Sequence, residues 1–384
     1  MASPPLKPAA EPVIVAGGTL TYSDGGGKPA YVYRLLQGLA SKVTDRPIHL
    51  ILPENTRLQP LPPQIIVTSI PRRFPRSRPL ISEMADNLAL GTYAARHHPK
   101  AIFITPADFW AHRHPPRTLA VIHDALSEVD PVSAGSSLRK FYRSLCLRYA
   151  RNARLWVTIS DFAADELAHG ARGKRPRALS NWVDRKYRTP VSPAAIEALR
   201  QKFNLPARFI LYVGGYSHYK NVEQLIRAHA EASRRASLPP LVLTGRIPSA
   251  DQPFRICDVH GEIRRSQCAE NSIITPGFVD ENDMPALYAA ATLFVSPSLH
   301  EGFGYPPVEA MAVGCPVLVA DRSSFREIVP DARSRFDPDS QEQFVTRLIE
   351  ATQHPERFRC PFPEKYTEEA GIARYLDAIR SIDH

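Results

Sequence analysis

The alternation of short apolar runs with longer stretches of helical spacing is what most constrains this chain, because it is how a parallel sheet covered by helices on both faces reads in sequence. In the first half "PVIVAGG", "IHLIL", "QIIVTSI", "AIFIT", "TLAVIHD" and "LWVTIS" are strand candidates. The second half starts afresh with "FILYVGG", "LVLTG", "SIITPG", "LFVSPS" and "PVLVA". The gaps between most neighbours hold a crossover helix, so the expected fold class is α/β, two Rossmann-like doubly wound domains. Between the halves "LSNWVDRKYRTPVSPAAIEAL" is polar and proline-bearing, as an interdomain linker would be. The expected division is residues 1–185, residues 186–365, and a helical segment 366–384.

Composition narrows the function classes. The chain has 384 residues, 43% of them hydrophobic and 23% charged, so real cores form and a disordered or fibrous chain is excluded. Lys and Arg outnumber Asp and Glu by 48 to 39, a formal charge of +9 that suits anionic partners. No interleaved aromatic and basic motif points to nucleic acid. The five cysteines form no Cys-x-x-Cys pair, no stretch is apolar enough for a membrane span, and "MASPPLKPAAEP" lacks a secretory core, so a cytoplasmic protein is expected.

Two segments of the first half stand out. Residues 53–82 are proline-rich and hold the basic cluster "IPRRFPRSRP", which reads as a long loop. Residues 138–155, "LRKFYRSLCLRYARNARL", read as an amphipathic basic helix, either a solvated face or a contact with an anionic membrane.

The stretch "LHEGFGYPPVEAMAVGCPVLVA", residues 299–320, carries the most chemistry. Buried-strand runs flank it, so Glu301 and Glu309 sit on a β-α-β crossover. Gly302 and Gly304 keep the chain looping, Pro306 and Pro307 suit the first helical turn, and Gly314 suits the helix end. Glu301 is then expected in the loop and Glu309 in the first turn, both facing the crevice outside the strand ends, where helix N–H groups receive phosphate. The amides of Phe303, Gly304, Tyr305, Val308 and Glu309 are the expected cradle. A carboxylate beside a phosphate is repelled, so both glutamates make sense if they reach past it to neutral hydroxyls. A nucleotide sugar has hydroxyls on both sides of its phosphates.

These residues resemble the Glu-x7-Glu segment of the family-4 retaining glycosyltransferases, whose GT-B fold has two facing Rossmann domains. "YVGGYSHYKNVEQLIRAH" looks like that family's glycine loop with its Lys-Asn, and "PGFVDENDMPALYAAATLFVSPS" like the segment before the glutamates. "DGGGKPAYVYRLLQGLA" resembles the first-domain glycine-rich loop, "VIHDALSEVDP" the His-Asp strand end and "VTISDFAADEL" the serine-bearing turn. The resemblance implies that Glu301 contacts the donor sugar, Glu309 the ribose and Lys220 the diphosphate, supported by Phe303, Gly304 and Tyr305. It also implies that Gly26 and Gly27 approach the donor, that His123 faces the sugar as a second catalytic residue, and that Phe278 or Val279 lies against the base. Many members carry an arginine after the first loop glycine, where this chain has Gly214-Gly215. Arg246 or Lys28 is the expected substitute.

The resemblance further implies an acceptor domain at residues 1–185, a donor domain at 186–365, and a C-terminal helix returning to the first. Hexosyl transfer from a nucleotide sugar to a glycan or lipid-linked saccharide is expected, with no cofactor or metal ion and with peripheral contact with an anionic membrane. GDP-mannose is the first choice of donor, since "VIHDALSEVDP" looks most like the mannosyl and rhamnosyl branch; UDP-hexose and dTDP-rhamnose stay open. A nucleotide-sugar epimerase, a phosphorylase and a non-catalytic partner subunit are the alternatives. Asp337-Pro338-Asp339 spells a metal-binding Asp-x-Asp but precedes "SQEQFVTRLIEA", so a helix N-cap is expected there.

Overall fold

The computed structural model describes residues 11–22, 27–72, 74, 79–125, 136–170, 174–248 and 256–383. They fall into two units, one running to Asn181 and including the chain from Glu368 onward, the other Trp182–Thr367. In the first, strands β1 (Val13–Ala16), β2 (Ile48–Pro53), β3 (Ile65–Ile70), β4 (Ile102–Thr105), β5 (Thr118–Val121), β6 (Leu155–Thr158) and β7 (Arg177–Ala178) form a parallel sheet in the order 3-2-1-4-5-6-7. In the second, β8 (Ile210–Tyr212), β9 (Leu241–Thr244), β10 (Ile273–Gly277), β11 (Leu293–Ser296), β12 (Val317–Ala320) and β13 (Arg335–Phe336) run in the order 10-9-8-11-12-13, again all parallel. This is the expected class, two Rossmann-like α/β sheets.

The central strands are apolar throughout because both of their faces are covered. Val15 lies opposite Leu50 on one side and Ile104 on the other, and Leu211 opposite Val242 and Phe294. In each unit the chain winds outward from its first strand and then returns to that strand's other side. The order therefore reverses between β1 and β4, and between β8 and β11. At such a reversal the loops leave in opposite directions and open a crevice at the carboxyl ends of the strands.

The helix Glu368–Asp383 buries Ile372, Tyr375, Ile379 and Ile382, spaced along one helical face, against the helix Gly27–Lys42 and strands β4 and β5. Arg46 pairs with Asp383 at 2.8 Å, and Arg374 donates to the Ser180 carbonyl at 2.8 Å.

Three local expectations are corrected. The proline-rich segment 53–82 is not a long loop throughout, because residues 65–70 are β3, paired along its length with β2, and the helix Pro79–His97 begins inside the segment. Proline there stands at a strand end and at a helix start, where a missing N–H is tolerated. The cap of the helix Gln341–Gln353 is Ser340, whose hydroxyl accepts from the Gln343 amide at 3.2 Å; Asp337 accepts from the Asp339 amide at 3.0 Å instead. Strands β7 and β13, two residues each, have no apolar run to announce them.

Candidate active site

The crevice between β8 and β11 is built from two loops that the backbone ties together. After β8 the chain passes Gly214 and Gly215 and forms a 3-10 turn, His218–Lys220, before the helix Val222–Arg235. After β11 it passes Leu299 and reaches Glu301. The Leu299 amide donates to the Tyr219 carbonyl at 2.7 Å, which fixes one loop against the other. Across this tie Lys220 Nζ meets Glu301 Oε1 at 2.6 Å, with side chains 17% and 15% exposed. The residues expected to serve opposite ends of a ligand thus touch each other. The Glu301 amide donates to the Ser323 hydroxyl at 3.1 Å, and the Ser324 hydroxyl donates to the Phe303 carbonyl at 2.6 Å, so the segment after β12 braces the glutamate loop.

The next helix, Tyr305–Val313, starts from Gly304 in the left-handed region (φ 94°). A Cβ there would come within 2.7 Å of the Phe325 ring, so this turn accepts glycine alone. Gly314, also left-handed, ends the helix. The buried Phe303 ring packs edge-on against Tyr305 and Tyr366, centroids 5.2 and 5.3 Å away.

Glu309 departs from its expected place. It is the fifth residue of the helix and so belongs to the second turn, and the Val308 and Glu309 amides fall within the intrahelical ladder. Pro306 and Pro307 carry no N–H, so Gly304 and Tyr305 supply the amides of this helix start. Glu309 is 6% exposed, and its carboxylate accepts from the Tyr288 hydroxyl at 3.1 Å. Burial and then the Glu309 charge hold that hydroxyl protonated well above its ordinary range, so Tyr288 stays a donor. Tyr288 lies on the helix Met284–Ala290, far from Glu309 in sequence. Neither Tyr288 nor Ser323 carries a sequence signal that would have found it.

Arg246 and Val279 follow β9 and β10, whose ends are joined by the Gly245 amide donating to the Gly277 carbonyl at 2.8 Å. Arg246 is exposed beside the glycine loop, since a Cβ on Gly245 would lie 3.4 Å from the Gly214 carbonyl. The Val279 side chain is buried, 7% exposed, whereas the ring of Phe278 is 78% exposed. Any side-chain platform at this strand end is therefore Phe278.

The first unit repeats the arrangement at its own reversal. Gly27 opens the helix Gly27–Lys42 after β1; Gly26 lies outside the described residues. Lys28 Nζ pairs with Asp108, in the loop after β4, at 2.9 Å, and Arg143 from the helix Ser137–Asn152 binds the other oxygen of the same carboxylate. Lys28 is thus matched with a carboxylate, as Lys220 is. Burial pushes the Asp108 carboxyl up, but Arg143 and Lys28 outweigh it and hold it well below the usual carboxylate range. His123, 5% exposed at the end of β5, donates from Nε2 to the Pro106 carbonyl at 2.7 Å and meets Tyr31 edge-on at 4.7 Å. Burial, then Lys28, lowers the His123 imidazole to about 4, so it is neutral at pH 7.

Glu83, partly buried on the helix Pro79–His97, is pushed up to about 7 by burial and by Asp108, against the pull of Lys28 and Arg139. A carboxyl raised on folding stabilises fully below its unfolded value near 4.5 and loses that contribution as pH rises towards about 7. Glu83→Gln is therefore expected to melt a few degrees above the native protein at pH 8 and level with it at pH 4.5, by calorimetry. An equal shift at both values would contradict this.

Comparison with known proteins places this geometry. Residues 195–370 match the family model described as Glycosyl transferases group 1. The chain is 31% identical to a serotype-specific mannosyltransferase WbdA of Escherichia coli, over 64% of this chain and 30% of that protein. It is 28% identical to the O-antigen chain mannosyltransferase B of Escherichia coli, over 73% of each. The chain therefore spans about a third of the length of the WbdA relatives it matches. Sucrose-phosphate synthase from Thermosynechococcus elongatus shares the fold with a TM-score of 0.70 at 18% identity, covering 97% of this chain and 96% of that one. Residues 195–370 thus match the glycosyl transferases group 1 family model, in a chain that is similar in sequence to mannosyltransferases and shares its fold with sucrose-phosphate synthase.

Proposed function

We propose that this chain is a retaining glycosyltransferase that moves a hexosyl group from a nucleoside-diphosphate sugar, GDP-mannose first among the donors, to a saccharide or lipid-linked saccharide without a metal ion. The observation that carries the proposal is the 2.6 Å Lys220–Glu301 pair at the strand reversal of a group 1 domain. On this reading the diphosphate displaces the pair: Lys220 turns to the phosphates and Glu301 is released to accept from sugar hydroxyls. Arg246 adds a second cation, and the Gly304 and Tyr305 amides receive a phosphate oxygen. Glu309, held by Tyr288, grips the ribose, with Phe278 beside the base. The mannosyl choice rests on the relatives named as mannosyltransferases.

In the reaction the bond from the sugar C1 to the phosphate oxygen breaks, and the acceptor oxygen bonds to C1 on the face the diphosphate leaves. The acceptor proton passes to the departing phosphate. Lys220 and the amides act on charge that grows on the diphosphate as that bond lengthens, which is where fixed charges lower a barrier most. Incubation in EDTA with GDP-mannose, a UDP-hexose or dTDP-rhamnose and a mannose oligosaccharide should add one sugar mass from one donor, with the donor's anomeric configuration kept. Glu301→Gln should lower kcat by about 100-fold while nucleoside-diphosphate affinity is largely kept. Transfer from no donor, inversion, or an unaffected variant would each count against the assignment.

Contact with an anionic membrane is part of the same proposal. No described helix is long and apolar enough to cross a membrane. On the helix Ser137–Asn152, however, Leu138 and Phe141 are 45% and 56% exposed one turn apart, with Arg139, Lys140 and Arg148 exposed around them. Apolar side chains ringed by cations suit the boundary of an anionic bilayer. Sedimentation with vesicles should show salt-sensitive binding to anionic and not neutral lipid, lost in a Leu138→Ser, Phe141→Ser variant. Equal binding by that variant would remove this surface from the proposal.

A further inference from the structure

The contacts around His123 close into a ring. Its Nε2 donates to the Pro106 carbonyl at 2.7 Å. Two residues further along the same loop, the Asp108 carboxylate receives Lys28 at 2.9 Å and also receives Arg143. Arg143 then donates its other terminal nitrogen to the carbonyl of Asp124, the residue next to His123. The path from His123 through Pro106, Asp108, Arg143 and Asp124 returns to its start, and its charged members are largely withdrawn from solvent, Arg143 at 11% and Asp108 at 21% exposure. A guanidinium that bridges a carboxylate and a backbone carbonyl fixes both in angle as well as in distance, which an ammonium does not.

The ring has a chemical consequence. A carbonyl oxygen only accepts, so the nitrogen facing Pro106 must be the one that carries the proton. In the neutral imidazole the lone pair is then on Nδ1, to which no described residue donates. The geometry points to Asp108 and Arg143 as positioning residues that hold His123 in its Nε2–H tautomer, so that Nδ1 is offered as a hydrogen-bond acceptor to a substrate hydroxyl. Asp108 belongs to the β1/β4 reversal and His123 to the neighbouring strand end, so both residues lie at the carboxyl ends of the first unit's central strands. Lys28, Glu83, Arg139 and Asp124 are the other charged groups of this neighbourhood. The hydroxyl belongs to a saccharide only if the glycosyltransferase reading holds, and the proposal rests on that reading to this extent.

The test has two readouts. With histidine labelled by 15N and the His123 signals assigned from a His123→Gln spectrum, the native protein should show one neutral Nε2–H tautomer at pH 7. Asp108→Asn and Arg143→Lys should each replace it with averaged or mixed tautomer signals, with the melting temperature and the other histidine signals reported alongside. An unchanged His123 signal in both folded variants would overturn the proposal. In transfer assays Asp108→Asn should lower kcat about tenfold in the native background and cause no further loss in the presence of His123→Ala, since residues acting through one group are not additive. Equal loss in both backgrounds would overturn it. If the native protein transfers no sugar, the assigned activity falls, while the tautomer comparison still decides the positioning role.

Discussion

An ammonium–carboxylate pair occupies the strand reversal of each sheet, Lys220 with Glu301 between β8 and β11 and Lys28 with Asp108 between β1 and β4. The topology forces a crevice at these two places, and a crevice at the carboxyl ends of parallel strands is poorly supplied with partners for charge. Partly buried ion pairs gain little net stability once desolvation is counted. On the proposed reading Lys220 and Glu301 neutralise one another until a ligand with phosphate on one side and hydroxyls on the other offers each a replacement. The braces around them, the Leu299–Tyr219 backbone bond and the Ser323 hydroxyl on the Glu301 amide, hold the two loops in place.

The two glutamates of the 299–320 stretch have different surroundings. Glu301 stands in a loop against a lysine. Glu309 is buried in the second helical turn with Tyr288 donating to it, which orients its carboxylate. The intervening glycine and prolines leave a narrow helix start. Gly304 turns the chain through a conformation that other residues resist, and two prolines limit the amides on offer.

What was legible in the sequence was local. The apolar runs of the central strands are continuous because both faces are covered, and every such run is a strand. The turn at Gly304, the two prolines after it and the stop at Gly314 follow from backbone preferences alone. The rest depends on groups brought together from afar. Tyr288 meets Glu309, and Asp108 gathers Lys28 and Arg143, through contacts that no spacing rule encodes. Strands β7 and β13 take their conformation from a neighbour's edge and not from their own residues. The apolar run at residues 65–70 is a strand as its pattern suggests, although the prolines around it made the whole segment 53–82 read as a loop. Glu309 falls one turn later than the proline pair suggests, because the helix already starts at Tyr305.

We propose above that Lys220 and Glu301 are the phosphate and sugar ends of one donor site that works without metal. Calorimetric titration of GDP, UDP and dTDP into the native protein and a Lys220→Met variant, both in EDTA, tests it most directly. The account predicts that one of the three binds the native protein and binds the variant about tenfold or more weakly, a loss of about 1.4 kcal/mol. Equal affinity in both proteins, or binding that appears only when a divalent cation is added, would contradict it.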